Sequence, residues 1–197
     1  MKKTIGVGAA GIDSFRVVVT GSESTAKTTL AEQLARRYRA ELVPEFVREY
    51  AAARRGVVEF SDHGPIARGQ MALEDAAVAR GNPLVVQDTD LLSTVVYCEH
   101  YFGKCPAWIA EAARERAPDL YLLCEIDVPW VADGVRDRGH MREQMQQLFR
   151  AAVYQSGAPV AVITGDRRER FARATDAIDA LLLADAPDGL REDDANS

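Results

Sequence analysis

Two kinds of apolar pattern alternate along the chain. Short unbroken runs occur at Phe15-Arg16-Val17-Val18-Val19-Thr20, Pro83-Leu84-Val85-Val86-Gln87, Leu120-Tyr121-Leu122-Leu123-Cys124 and Pro159 to Ile163. Their brevity and β-branched content predict strands. Their continuity, in place of in-out alternation, predicts a parallel sheet covered by helices on both faces. A shorter strand is expected at 41–43. Between the runs, apolar residues recur every three or four positions, which predicts helices. One spans about 27–39 through Leu30, Leu34 and Tyr38, and another carries Ile66, Met71, Leu73 and Val78 as far as Gly81. Further helices are expected at about 91–102, 106–116, 141–155 and 167–184. Residues 1–14 show no clear period and are expected to be an irregular lead-in. Residues 185–197, acidic and rich in Pro, Gly and Asp, are expected to be a disordered tail. With no repeat and no linker in between, residues 15–184 form a single expected α/β domain in three layers.

Bulk properties narrow the function classes. The 197 residues are 47% hydrophobic, enough for one substantial core. No apolar run approaches a membrane span, and the stretch after Lys2 and Lys3 is too short and glycine-rich for an export segment. Three cysteines, an odd number with no close CxxC pair, fit reduced thiols in a cytoplasmic protein better than a zinc site. A net charge of −6 argues against a protein that coats nucleic acid. The expected partner is a small molecule, with neither nucleic acid nor membrane involved; nothing in the chain sets an oligomeric state.

The strand at 15–20 runs into Gly21-Ser22-Glu23-Ser24-Thr25-Ala26-Lys27-Thr28-Thr29 and then into a helix. This is the strand, loop and helix of a P-loop, in which loop N–H groups and the positive end of the helix surround the phosphates of a nucleotide. Lys27 suits the β- and γ-phosphates, and the Thr28 hydroxyl suits Mg²⁺. Only four of the 24 Lys and Arg residues are lysines, so lysine here marks a place for a compact ammonium. Ala26 departs from the pattern, which reads GxxxxAKT where a second glycine is usual. Alanine disfavours the positive φ that glycine adopts freely.

Ligands of open α/β sheets gather at the carboxyl ends of the strands. Asp88 and Asp90 follow one strand, as the acids of a Walker-B segment do. One of them suits Mg²⁺, a hard ion that prefers carboxylate and water oxygen; either also suits the N-cap of the helix at Leu91. Glu45 and Arg48 follow another strand, spaced to bind a sugar hydroxyl and take its proton, or simply to pair on the surface. After a third strand, Arg136, Arg138 and Arg142 lie in a glycine-punctuated stretch. That stretch reads either as a lid that meets the charge of a phosphoryl group in flight or as a solvated charge run. Trp130 suits either a flat, cationic ring or the core.

The segments GSESTAKTTLAEQLA, VPEFVREY, DTDLLST and CEIDVPWVADGVR, in this order over about residues 15–180, resemble the kinase domain of NadR-type nicotinamide riboside kinases and the single-domain bacterial ATPases close to it. The resemblance implies a nucleoside-kinase-like P-loop fold. It also implies transfer of the γ-phosphoryl of ATP, with Mg²⁺, to the ribose 5′-hydroxyl of nicotinamide riboside. On that basis Gly21, Lys27 and Thr28 hold triphosphate and metal, and Asp88 is the metal acid. Glu45, or failing it Asp90, orients or deprotonates the hydroxyl, with Arg48 nearby. Arg136 and Arg138 serve as lid, Trp130 meets the pyridinium, and Thr164 and Gly165 lodge the adenine. The larger NadR proteins carry adenylyltransferase and DNA-binding domains, neither of which is expected here; His63, His100 and His140 form no HxGH motif. Two alternatives stay open: a kinase for another nucleoside or riboside, and a regulatory ATPase or GTPase with no small-molecule acceptor. The absence of an NKxD segment counts against a guanine-specific switch.

Overall fold

The structure, a computed structural model, describes residues 14–54, 56–127 and 141–184. The lead-in before Ser14, the acidic tail and the stretch with Trp130, Arg136 and Arg138 lie outside the described residues.

Five strands form one parallel sheet in the order β2-β3-β1-β4-β5: β1 (Phe15–Thr20), β2 (Glu41–Val43), β3 (Leu84–Asp88), β4 (Leu120–Cys124) and β5 (Val160–Ile163). Seven helices complete the described chain: α1 (Lys27–Tyr38), α2 (Phe46–Ala53), α3 (His63–Ala79), α4 (Leu91–Phe102), α5 (Ala107–Glu115), α6 (Arg142–Gln155) and α7 (Arg167–Ala184). All strand pairings are parallel, so each crossover passes over a face of the sheet.

The unbroken apolar runs are explained by burial on both faces. Val17 and Val19 join Leu34 of α1, Leu122 and Ile178 of α7 in one core, while Val18 packs with Tyr121 and Val153 of α6 on the other face. Fully burying such a side chain contributes about 1.5–3 kcal/mol, so a polar residue at Val17, Val18 or Val19 would open a core on one face or the other.

Two elements go beyond the sequence reading. Residues 46–53, to which the sequence pattern assigned no element, form helix α2, and a single 3₁₀ turn spans Phe60–Asp62. α2 docks through Phe46, whose ring occupies the space where a Cβ on Gly69 of α3 would stand, 2.2 Å from its Cε1. The Phe46 N–H donates to Gln70 Oε1 at 3.0 Å.

β1 is central, and its carboxyl end is where the chain switches from β3 on one side to β4 on the other. Its pairing sets Val19 beside Asp88 and Thr20 beside Leu123. The loop after β1 therefore emerges between the ends of β3 and β4, the place where open α/β sheets bind ligands.

Candidate active site

The loop Gly21–Ala26 has a backbone that its residues only partly favour. Gly21 has φ +130°, and a Cβ there would lie 2.6 Å from the Cys124 carbonyl oxygen, so only glycine fits this approach. Ser24 and Ala26 also have positive φ, 54° and 61°. Ala26 thus holds the conformation for which the pattern usually uses glycine. Thr25 Oγ1 and Lys27 Nζ both donate to the Ser22 carbonyl, at 2.9 and 2.6 Å, folding the loop around a buried ammonium. Helix α1 then begins at Lys27 with no capping side chain and no acid in its first turn. An uncapped helix end beside a buried lysine is the local chemistry of an anion site. Ser22 and Thr25 are buried, Glu23 and Thr28 are half-buried, and Thr29 is exposed.

Thr28 is where the loop meets the acids. Its hydroxyl donates to Asp88 Oδ2 at 2.6 Å and accepts from Arg48 Nη2 at 3.2 Å. Arg48 in turn pairs with Glu45 Oε2 at 3.3 Å. Four residues from three segments therefore converge on one point. Asp88 is 3% exposed, and its second oxygen, Oδ1, has no hydrogen-bond partner. Burial pushes its carboxyl above the usual range and the nearby Glu45 adds to this, opposed by the Thr28 hydroxyl, Lys27 and Arg48. A cation held by Asp88 Oδ1 and Thr28 Oγ1 would satisfy the orphaned oxygen, so these residues fit Mg²⁺. Among the described residues no group of three or more His, Cys, Asp or Glu could hold a metal alone. Mg²⁺ needs no such cage, being commonly held by one or two carboxylates plus phosphate and water.

Asp90 precedes α4, yet its side chain does not cap the helix. Asp90 Oδ2 instead accepts from the Tyr121 hydroxyl at 2.6 Å, and Oδ1 is buried without a partner. Burial pushes its pKa up to about 7, with the Glu74 charge adding and the tyrosine bond opposing. Glu74 is itself raised by burial, against its pairing with Arg116 Nε at 2.9 Å. Asp90 thus belongs to a buried polar cluster under α3 and α4, separate in its hydrogen bonding from the Thr28–Asp88 pair.

Three residues that the sequence reading did not single out, or placed elsewhere, hold the loop from behind. Gln146 of α6 accepts from the Ser22 N–H and donates to the Cys124 carbonyl, both at 3.0 Å. Arg142, one turn earlier, donates to the Ser24 carbonyl at 3.0 Å, so this member of the arginine run touches the P-loop backbone. Arg170 of α7, 3% exposed, donates to the carbonyls of Thr25, at 3.0 Å, and Gly165, at 2.8 Å. Thr164 and Gly165 accordingly stand beside the loop, joined to it through that guanidinium. No spacing rule could have found Gln146 or Arg170, because each acts on backbone more than a hundred residues away. Trp130, Arg136 and Arg138 lie outside the described residues. A cavity of about 350 Å³ opens at the opposite end of β1, by Ser14, Arg16, Glu74 and Arg116, and includes none of the loop residues.

Comparison with known proteins identifies the family and the fold. A family model described as an AAA domain matches residues 16–170. The trifunctional NAD biosynthesis/regulator protein NadR of Escherichia coli (strain K12) is 30% identical over 173 residues, covering 84% of this chain and 42% of the relative. The NadR of Salmonella typhimurium gives the same identity and coverage. The chain thus spans less than half the length of these relatives. Among solved structures, NadR protein in complex with NR superimposes with a TM-score of 0.72 at 25% identity, over 85% of this chain and 50% of that one. A complex of NadR protein with NAD and AMP-PNP gives 0.68 at 25% identity, over 85% and 49%. Thymidylate kinase from Ehrlichia chaffeensis, at 15% identity, shares the fold with a TM-score of 0.60 over 85% of this chain and 98% of its own. The chain belongs to the AAA domain family, with a P-loop kinase-like fold shared with NadR and thymidylate kinase.

Proposed function

We propose that the chain is an ATP-dependent small-molecule kinase that phosphorylates the ribose 5′-hydroxyl of nicotinamide riboside. The observation that carries this is the convergence on Thr28. A P-loop hydroxyl, a buried acid with a free oxygen and an acid–arginine pair at the start of α2 meet at one point. A nucleotide-binding regulator needs the first two; the Glu45–Arg48 pair adds a carboxylate able to accept the proton of an acceptor hydroxyl. Likeness to NadR solved with NR and with AMP-PNP supports both halves of the reading.

In this reading the loop N–H groups, the start of α1 and Lys27 bind the triphosphate of ATP. Thr28 and Asp88 would hold Mg²⁺, which when bound neutralises charge on the β- and γ-oxygens. Glu45 accepts the proton of the 5′-hydroxyl as its oxygen attacks phosphorus, and ADP leaves. Arg48, bound to both Glu45 and Thr28, fixes the carboxylate relative to the phosphate end of the site. Asp90, bound to Tyr121 in its buried cluster, takes no part in this reading, and Thr164 and Gly165 lodge the adenine. Trp130 against the pyridinium, and Arg136 and Arg138 against the phosphates, are carried over from the family resemblance. Phosphoryl transfer asks mainly for positioning and charge stabilisation, which a rigid set of side chains on a sheet edge supplies.

The test is ADP release from Mg-ATP across a panel of ribosides. The expected result is acceptor-dependent release, greatest with nicotinamide riboside and absent in Lys27→Ala. Strongest release with a different riboside would keep the kinase and change the acceptor. No acceptor dependence, or stable binding of GTP over ATP, would refute the kinase reading.

A further inference from the structure

Arg170 is a buried charge with four acceptors drawn from three parts of the chain. Nε donates to the Gly165 carbonyl at 2.8 Å and Nη1 to the Thr25 carbonyl at 3.0 Å. Nη2 donates to the Glu125 carbonyl at 2.7 Å and to Asp127 Oδ1. The other oxygen of Asp127 accepts from the Gly165 N–H at 2.5 Å. The Gly165 residue is therefore held at both its N–H and its carbonyl by one ion pair. A buried guanidinium is costly unless its donors are matched, and this one is matched by four acceptors on three of its nitrogens, a set that a point donor such as lysine cannot serve.

The turn it grips also has local contacts of its own. Gly165 has φ +98°, and a Cβ there would lie 2.3 Å from Glu169 Oε2. Asp166 Oδ1 accepts from the N–H groups of Arg168 and Glu169, at 2.8 and 2.9 Å, capping α7. Helix α7 is also anchored to α1 without Arg170, through the core residues Ala174 and Ile178 and the Tyr38 hydroxyl, which donates to Asp179 at 2.7 Å. What Arg170 adds is the direct link from this turn to the P-loop carbonyl of Thr25.

We infer that Arg170 is a positioning residue that fixes the Thr164–Gly165 turn in register with the phosphate loop, so that base and triphosphate of one nucleotide are bound together. This rests on the proposed placement of the adenine at that turn. Lysine at 170 would keep a charge but, as a point donor, could not span Thr25, Gly165 and Glu125 at once. The triphosphate would still bind, whereas the base would lose its fixed distance from it.

Calorimetric titration of the full chain with Mg-ATP and with Mg-tripolyphosphate, which lacks the nucleoside, tests this. Arg170→Lys is expected to weaken ATP about tenfold or more, the effect of a lost charge-assisted bond, and tripolyphosphate by a clearly smaller factor, about threefold or less. Asp127→Asn, which keeps Arg170 and weakens its grip, should shift the same ratio less, and carries the test alone if Arg170→Lys does not fold. Equal losses for both ligands would overturn the inference, as would no loss for ATP. If the unsubstituted chain binds neither ligand, the nucleotide reading itself fails and takes the inference with it.

Discussion

Ala26 illustrates what a single position can and cannot say. The missing glycine was legible, and so was the expectation of a positive φ, which the structure shows at 61°. Left-handed backbone costs an alanine roughly 1 kcal/mol relative to glycine, partly offset by the freedom glycine regains on unfolding. Ala26→Gly should therefore raise the melting temperature, and an unchanged or lower one would mean the methyl group makes a compensating contact. Asp90 shows the opposite case, since its sequence suggested a helix cap and the family resemblance a fallback base, and the fold gives it Tyr121. Its folded pKa near 7 exceeds the roughly 3.9 of an unfolded aspartate. Between those values the folded chain holds the extra proton, so stability is full below about pH 4 and falls as pH rises towards 7. Chemical denaturation of Asp90→Asn should show a flatter profile across that window than the parent, and parallel profiles would remove Asp90 as the cause. Glu45 is argued from its contacts with Arg48: Glu45→Gln should cut turnover by about 10²-fold or more with ATP affinity little changed. Unchanged turnover would transfer the role to Asp88 or Asp90, or show that positioning suffices.

At the scale of elements, the unbroken apolar runs marked their strands because the sheet buries both faces. Helix α7, read at about 167–184, spans Arg167–Ala184. α2 escaped because Pro44 and the charged Glu45, Arg48 and Glu49 look like a loop, although Phe46 and Tyr50 stand one helical turn apart and their rings lie 6.1 Å apart. Sheet order was not legible, since apolar runs carry no record of their neighbours. The supports behind the P-loop were hidden for the same reason. Gln146 bridges the Ser22 N–H and the Cys124 carbonyl across two strands' ends. Gln146→Leu would leave both buried groups unpaired, a loss of roughly 2–4 kcal/mol, measurable by denaturant unfolding. A loss well under 1 kcal/mol would mean that α6 holds the loop by packing alone.

For the molecule as a whole, a parallel sheet with its P-loop on the central strand places every described candidate residue except Asp90's buried cluster around one edge. The acids were legible as residues following strands, because strand ends are where such sheets bind ligands. Their convergence on Thr28 was not, since it depends on β3 lying beside β1 and β2 beyond it. Among the described residues no helix is long and apolar enough to cross a membrane. In the proposed reaction this edge moves a phosphoryl group from ATP to a riboside hydroxyl. Phosphorus NMR of the purified chain with Mg-ATP and nicotinamide riboside follows that transfer itself. A 5′-phosphomonoester of the riboside should grow in equal amount with ADP, with none formed by Lys27→Ala. ADP accompanied only by inorganic phosphate, with the riboside untouched, would contradict it.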